Sequence, residues 1–355
     1  RPPRLVPNTA AAIPEITDDG RTFTVRVKPA IYFADDPAFK GKRRELTAED
    51  YAYSIKRNFD PRVRSPSLFI FEHQLVGLDE ALAKARRTNQ FDYDAPLEGL
   101  QVIDRYTLRF KFRNPYYLFQ HWLTSVALAA VAREVIVAHQ DESRRAMEHP
   151  VGTGAYRLKE WVRGQKVVLE ANPGFREERY PTPSAGSEPG DASIAKGLAG
   201  KRIPFVGRIE ITIVEEPQPR LLLFDGGKLD YEEVPISIAD RVLSGNALRP
   251  EYAKRGVTLH REVSPSTSYI YFNMDDPLVG GYTPEKVALR RAIALGYDRT
   301  TFIRILRSGQ SLPATQPPPP GFAGYDPSIP VKDEHDTTAA RALLDRFGYK
   351  DRDGD

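Results

Sequence analysis

The chain has 355 residues, 41% of them hydrophobic and 10% aromatic, with 51 Lys+Arg against 48 Asp+Glu and a formal net charge of +3. That length exceeds one ordinary domain and the apolar content can fill real cores, while so even a charge balance excludes an electrostatic footprint for nucleic acid. The lack of cysteine excludes disulfides, thiol catalysis and thiolate metal sites, and no run approaches the roughly 18–20 apolar residues of a membrane span.

In chain order, Asp18, Asp19 and Gly20 mark a turn. Phe23, Val25 and Val27 then alternate with Thr24, Arg26 and Lys28 as in a half-buried strand. Thr47 followed by Ala48, Glu49 and Asp50 is a helix start, and Tyr51, Ala52, Ile55 and Phe59 recur at helical spacing. A second helix is expected over 78–87. Residues 100–112 read as two short strands turning at Asp104–Arg105, with Leu108, Phe110 and Phe112 on one face. Asn114–Pro115 breaks the pattern; a helix over about 116–124 and a further apolar segment to about 139 come next. Residues 149–173, HPVGTGAYRLKEWVRGQKVVLEANP, form a small-residue turn and then a hairpin through Arg163–Gly164–Gln165. Residues 180–198 are a Pro/Gly/Ser-rich loop, and Ile209, Ile211 and Ile213 give the cleanest alternating strand of the chain.

Beyond it, a short helix from Pro219 stops at Gly226–Gly227. Lys228–Val234 leads to a strand, Ser237–Leu243 to a helix, and Tyr269–Asn273 to a short apolar strand. Thr283–Pro284–Glu285 opens a strong helix, Pro317–Pro320 is a rigid linker, and Thr337 or Thr338 caps a last helix that ends at Gly348. Strands and helices alternate without a regular βαβ beat, which predicts an α/β fold with mixed sheets.

Catalytic patterns are missing. The six histidines (73, 121, 139, 149, 260 and 335) show no HExxH or HxH pairing, and there is no GxSxG or GxxxxGK[ST]. Gly152–Thr153–Gly154 leads into a strand, so it is not a phosphate-cradling loop. The terminal DRDGD (351–355) places its glycine too early for an EF-hand loop and reads as a solvated acidic turn. No metal or cofactor is expected. The aromatics Phe69, Phe71 and Trp122 lie near loops, where flat apolar walls serve a ligand cleft.

Seven blocks in order (18–35, 46–61, 104–119, 149–173, 269–277, 286–303 and 338–349) resemble the peptide-, dipeptide- and nickel-binding solute-binding proteins of bacterial ABC importers. The resemblance implies a type II periplasmic-binding-protein-like fold of two lobes: 1–148 an extra subdomain of the first lobe, 149–265 that lobe's core, and 266–355 the start of an incomplete second lobe. It places the family's opening segment before Arg1 and most of the second lobe after Asp355. It also implies a non-enzymatic, monomeric protein that binds a peptide or related small solute, hands it to a membrane permease, and is periplasmic or extracellular. The chain begins RPPRLVPN without Met, so an export signal is expected outside it. Phe69, Phe71 and Trp122 are then expected as cleft walls, with Ser125 and Tyr269 as polar contacts. The alternatives are the ligand-sensing domain of a transcription regulator with the same fold, and a hydrolase on a similar scaffold.

Overall fold

The computed structural model describes residues 5–182, 195–330 and 335–349. Parts of the predicted 180–198 loop, and the whole DRDGD turn, lie outside these residues. Packing separates two units, one of residues up to Ile213 and one from Val214 onward.

The first unit begins with the predicted turn. Gly20 takes a φ of +77°, a conformation that favours glycine, and a Cβ there would meet the Tyr117 ring at 2.6 Å and displace it. Strands β1 (Glu15–Thr17), β2 (Thr22–Arg26), β3 (Leu100–Asp104) and β4 (Thr107–Lys111) form an antiparallel sheet in the order β1-β2-β4-β3. Its register sets Phe23 opposite Phe110 and Val25 opposite Leu108, so the apolar alternation falls on one face. Helices α1 (Ala48–Arg57) and α2 (Leu78–Thr88) contribute Ala52, Ile55, Leu78 and Leu82 to the core that covers that face.

The start of α1 is held by side chains, as the sequence predicts. Asp50 accepts hydrogen bonds from the Thr47 N–H at 2.7 Å and the Thr47 hydroxyl at 2.9 Å. The predicted helix over 116–124 is a single turn, α3 (Phe119–Trp122), and the apolar segment after it holds a 3-10 turn at Val126–Leu128 and α4 (Arg133–His139). Phe119 is fully buried, and five rings surround it: Phe112 at 4.6 Å, Phe110 at 4.8 Å, Phe23 at 5.2 Å, and Phe71 and Tyr116 at 6.0 Å.

The hairpin predicted at 149–173 is β5 (Tyr156–Val162) and β6 (Lys166–Ala171), turning at Gly164 with a φ of +70°. Strand β7 (Arg208–Thr212) adds to β6, giving an antiparallel sheet in the order β5-β6-β7. The alternation at 209–213 does form a strand, yet Ile211 stays 49% and Ile213 38% exposed. Periodicity reports that one side is apolar; it does not supply a cover for that side.

The second unit holds α5 (Pro217–Asp225), a 3-10 turn at Ile236–Ile238, α6 (Ala239–Val242), the short pair β8 (Leu243–Ser244) and β9 (Ala247–Leu248), and α7 (Pro250–Lys254). Then come α8 (Pro284–Gly296), α9 (Arg299–Leu306) and α10 (Thr337–Arg346). Leu221, Ile238, Val242, Leu243 and Tyr252 make a small core. Helices α8 and α10 pack together, and Ala288, Ala292 and Ala340 are buried on them. The α/β character stands, and every ladder among the described residues is antiparallel.

Three local expectations give way. Lys228–Val234 forms no strand. Tyr269–Asn273 forms none either: Tyr269, Ile270 and Tyr271 are 78%, 74% and 78% exposed, and the segment has no ladder partner among the described residues. A strand is defined by its neighbour, and an apolar run without one stays coil. The last helix is capped by Asp336, which accepts from the Ala339 N–H at 2.8 Å, rather than by Thr337 or Thr338.

The core and charges of the first unit can be tested by stability. Phe119→Ala empties the centre of five rings and is expected to cost about 3–5 kcal/mol in urea unfolding. Asp60, whose side chain is 0% exposed, accepts from Arg62 Nη2 at 3.0 Å and from the Tyr93 hydroxyl at 2.9 Å. Burial pushes its carboxyl up, but the bonds from the Arg62 side chain, the Arg62 N–H and Tyr93 prevail and hold it below 3.8. A depressed folded value means the stabilisation is complete above 3.8 and is lost as pH falls through the lower folded value. Asp60→Asn should therefore lower Tm at pH 7 and flatten the decline of Tm below that pH, as read by calorimetry across a pH series.

Candidate functional site

The chain returns from the first sheet to the β5 hairpin through residues 149–154, and this crossing gathers side chains from three distant segments. The first is 31–36. Ile31 and Phe33 are buried, and the segment is pinned by the Leu46 N–H to the Ile31 carbonyl at 2.8 Å and the Phe33 N–H to the Arg44 carbonyl at 2.9 Å. Asp36 ends it and caps the 3-10 turn Pro37–Phe39 by accepting from the Ala38 N–H at 2.9 Å. The second is α4, anchored by buried Val135 and Ile136, with His139 in its last turn. The third is the return itself, where the Ala34 N–H donates to the Gly152 carbonyl at 2.8 Å and fixes His149 beside Asp36.

The resulting group is tight. His149 Nε2 lies 2.5 Å from Asp36 Oδ2, and His139 Nε2 lies 3.9 Å from Asp36 Oδ1. The two imidazoles stack, with centroids 3.6 Å apart and planes 16° from parallel. The Asp36 side chain is 3% exposed, while those of His139 and His149 are 33% and 40% exposed. Burial pushes the Asp36 carboxyl up, and the bond from His149, the Ala38 N–H and the charge of both imidazoles bring it below its ordinary value.

Two clefts meet at His149, Pro150 and Val151. One, of about 550 Å³, is polar. Asp36, Glu148 and the β5 residues Arg157, Lys159, Glu160 and Trp161 line it. Several of its charges are paired: Arg157 with Glu170 at 2.6 Å, Glu160 with Lys166 at 3.0 Å, and Arg163 with Glu148. The other, of about 430 Å³, is mainly apolar, lined by Val63, Pro66, Val131, Val135, Ile136 and Met147. No Ser, Thr, Cys or Tyr lines the polar cleft, so the Asp36–His149 pair has no hydroxyl or thiol nucleophile to activate there.

The residues predicted from sequence fall in different places. Phe69 is 60% exposed and meets Trp122 edge to face at 5.4 Å, an aromatic corner on the surface of the first unit. Ser125 comes three residues after Trp122 and caps the 3-10 turn, accepting from the Ala127 N–H at 3.3 Å. Phe71 is corrected: it is 0% exposed, packed against Phe59 at 5.4 Å and Phe119 at 6.0 Å, and is core rather than cleft wall. Tyr269 belongs to the second unit and stands 78% exposed, 6.2 Å from Tyr271. Asp36, His139 and His149 are absent from the sequence-based set. No spacing betrays them, because Asp36 and His149 lie 113 positions apart and only the return crossing joins them.

The sequence profile of the bacterial extracellular solute-binding proteins, family 5 Middle, matches residues 4–355. The chain belongs to that family. It is 25% identical over 360 residues to di/tripeptide-binding protein 2 of Pseudomonas aeruginosa (strain UCBPP-PA14), covering 97% of this chain and 57% of the relative. It is 28% identical over 313 residues to the periplasmic oligopeptide-binding protein OppA of Escherichia coli (strain K12), covering 86% of this chain and 49% of that one. Among solved structures it resembles Helicobacter pylori DppA in complex with peptide STSA, with a TM-score of 0.62 and 18% identity over 97% of this chain and 57% of the other. Burkholderia pseudomallei OppA gives a TM-score of 0.63 at 18% identity, over 98% and 59%. These structures share its fold, that of two-lobe periplasmic binding proteins. The chain spans about half the length of the curated relatives it matches.

Proposed function

We propose that the protein to which this chain belongs is the substrate-binding component of an ABC importer, which captures a peptide or related small solute by closing two lobes and delivers it to a membrane permease. The observation that carries this reading is the family match along residues 4–355, joined by relatives named for peptide binding. The reading places the protein outside the cytoplasmic membrane, as a monomer without turnover. The lobes run as the family order suggests: 1–148 an extra subdomain, 149–265 the core of the first lobe, 266–355 the start of the second. The packing boundary at Ile213–Val214 falls within the middle part.

In this reading the Phe69–Trp122 corner is a wall for ligand side chains with Ser125 as a polar contact beside it, and Tyr269 is proposed separately as a polar contact offered by the second unit. Main-chain hydrogen bonds to an extended peptide supply affinity without fixing its sequence.

The test is native mass spectrometry of the full-length protein from its own host, followed by calorimetric titration with di- to pentapeptides. Retained or saturably bound peptide, released unchanged, is expected; steady cleavage of the peptides, or no binding across the set, would sink the reading. Phe69→Ala is expected to weaken peptide binding about tenfold while moving stability by less than ~0.5 kcal/mol, since the ring is already exposed. Peptide should also quench a component of the tryptophan emission that is lost in Trp122→Phe, which gives a second reading of occupancy.

A further inference from the structure

We infer that Asp36, His139 and His149 form a binding site for a late first-row divalent cation of the zinc or nickel class. The donor atoms of the three side chains all lie within 4.8 Å of one another. Bonds of about 2.0–2.1 Å in a tetrahedral site set donors roughly 3.3 Å apart. His149 lies 2.5 Å from Asp36 Oδ2 and His139 3.9 Å from Oδ1, so to share one Asp36 oxygen the three donors, now within 4.8 Å of one another, would draw together by up to about 1.5 Å.

The arrangement goes beyond an ordinary Asp–His ion pair. One imidazole would satisfy the Asp36 carboxylate, and here a second lies flat against the first at 3.6 Å. Each ring brings one nitrogen to the same buried carboxylate, and since a cation lies in the plane of each imidazole it binds, one ring would turn out of the stack on binding. A divalent cation uses all three groups at once. The backbone prepares the set: Asp36 is oriented by the Ala38 N–H at 2.9 Å, His139 by the end of α4, and His149 by the crossing at Gly152.

Ligand chemistry selects the ion. Two imidazoles and one carboxylate suit zinc, nickel, cobalt or copper, while calcium and magnesium favour a shell of oxygens. Three protein ligands leave coordination positions open. Asp36 and His149 line the 550 Å³ polar cleft, so those positions would be taken by water or by a solute that chelates. This inference is independent of which solute the protein carries.

The experiment uses untagged full-length protein stripped with a chelator and titrated with zinc chloride and with nickel chloride by calorimetry. We expect about one equivalent bound with a Kd below ~10 µM, and affinity at least about tenfold weaker in His139→Ala and in His149→Ala. Magnesium and calcium should not compete at about 1 mM. His139→Gln serves as a second variant of similar size, and far-UV circular dichroism of the metal-free variants confirms that they fold. Cobalt added to the wild type should give visible bands that His139→Gln lacks. No saturable binding below about 100 µM, or equal affinity in wild type and in folded His139 and His149 variants, would overturn the assignment and leave Asp36–His149 as a structural ion pair. Neither result bears on peptide binding, which the separate peptide titration reads.

Discussion

One buried carboxylate organises the first unit. Asp50 is 2% exposed and cannot stay charged there without partners. It takes the Thr47 N–H and hydroxyl at the start of α1, and both terminal nitrogens of Arg44, at 2.7 and 3.1 Å. Arg44 in turn donates from Nε to Glu134 at the start of α4 at 2.7 Å. Burial alone would push the Arg44 guanidinium down, but these two carboxylates raise it above its ordinary value. A single charge network thus fixes α1, the 44–47 segment and α4 together. Asp36 depends on it, because residue 44 pairs with Phe33, and His139 depends on it, because it rides on α4. Removing Arg44 would leave Asp50, 2% exposed, without its charged partner, so this pair constrains position more than it adds net stability.

The sequence made much of this unit legible. The alternations at Phe23–Val27 and Leu108–Phe112 report burial on one sheet face. The Thr47–Asp50 spacing reports a capped helix, and Arg163–Gly164–Gln165 reports a hairpin. Each is a short-range signal, in which the residues that carry the information also satisfy one another. Tyr269–Asn273 failed for the opposite reason: it is a short apolar run, but a strand also needs a partner, and none is found among the described residues. The candidate site divides the same way. The surface aromatics Phe69 and Trp122 could be picked out by type and loop position, though neighbouring Phe71 could not be told from them until its burial was known. The Asp36–His139–His149 group depends on a long-range crossing and has no local signature.

The glycine-rich stretch at 151–154 also takes on a definite role. Its glycines taken alone suggest a phosphate loop, but a phosphate loop opens a helix, and this stretch opens strand β5. Joined to Ala34 through the Gly152 carbonyl, it ties the 31–36 segment to the start of the hairpin sheet.

The two units are buried to very different depths. The first encloses Phe23, Phe59, Phe71, Phe110 and Phe119 almost completely, whereas the second, among the described residues, rests on a few aliphatic residues, Tyr252 and four alanines. Amide protons would record this difference directly. Those in β2 and β4 should exchange only when the whole unit opens, while those along α9, which buries no residue, should exchange through local fluctuations. A protease given limited time would therefore cut the chain beyond Val214 first and leave the aromatic unit intact.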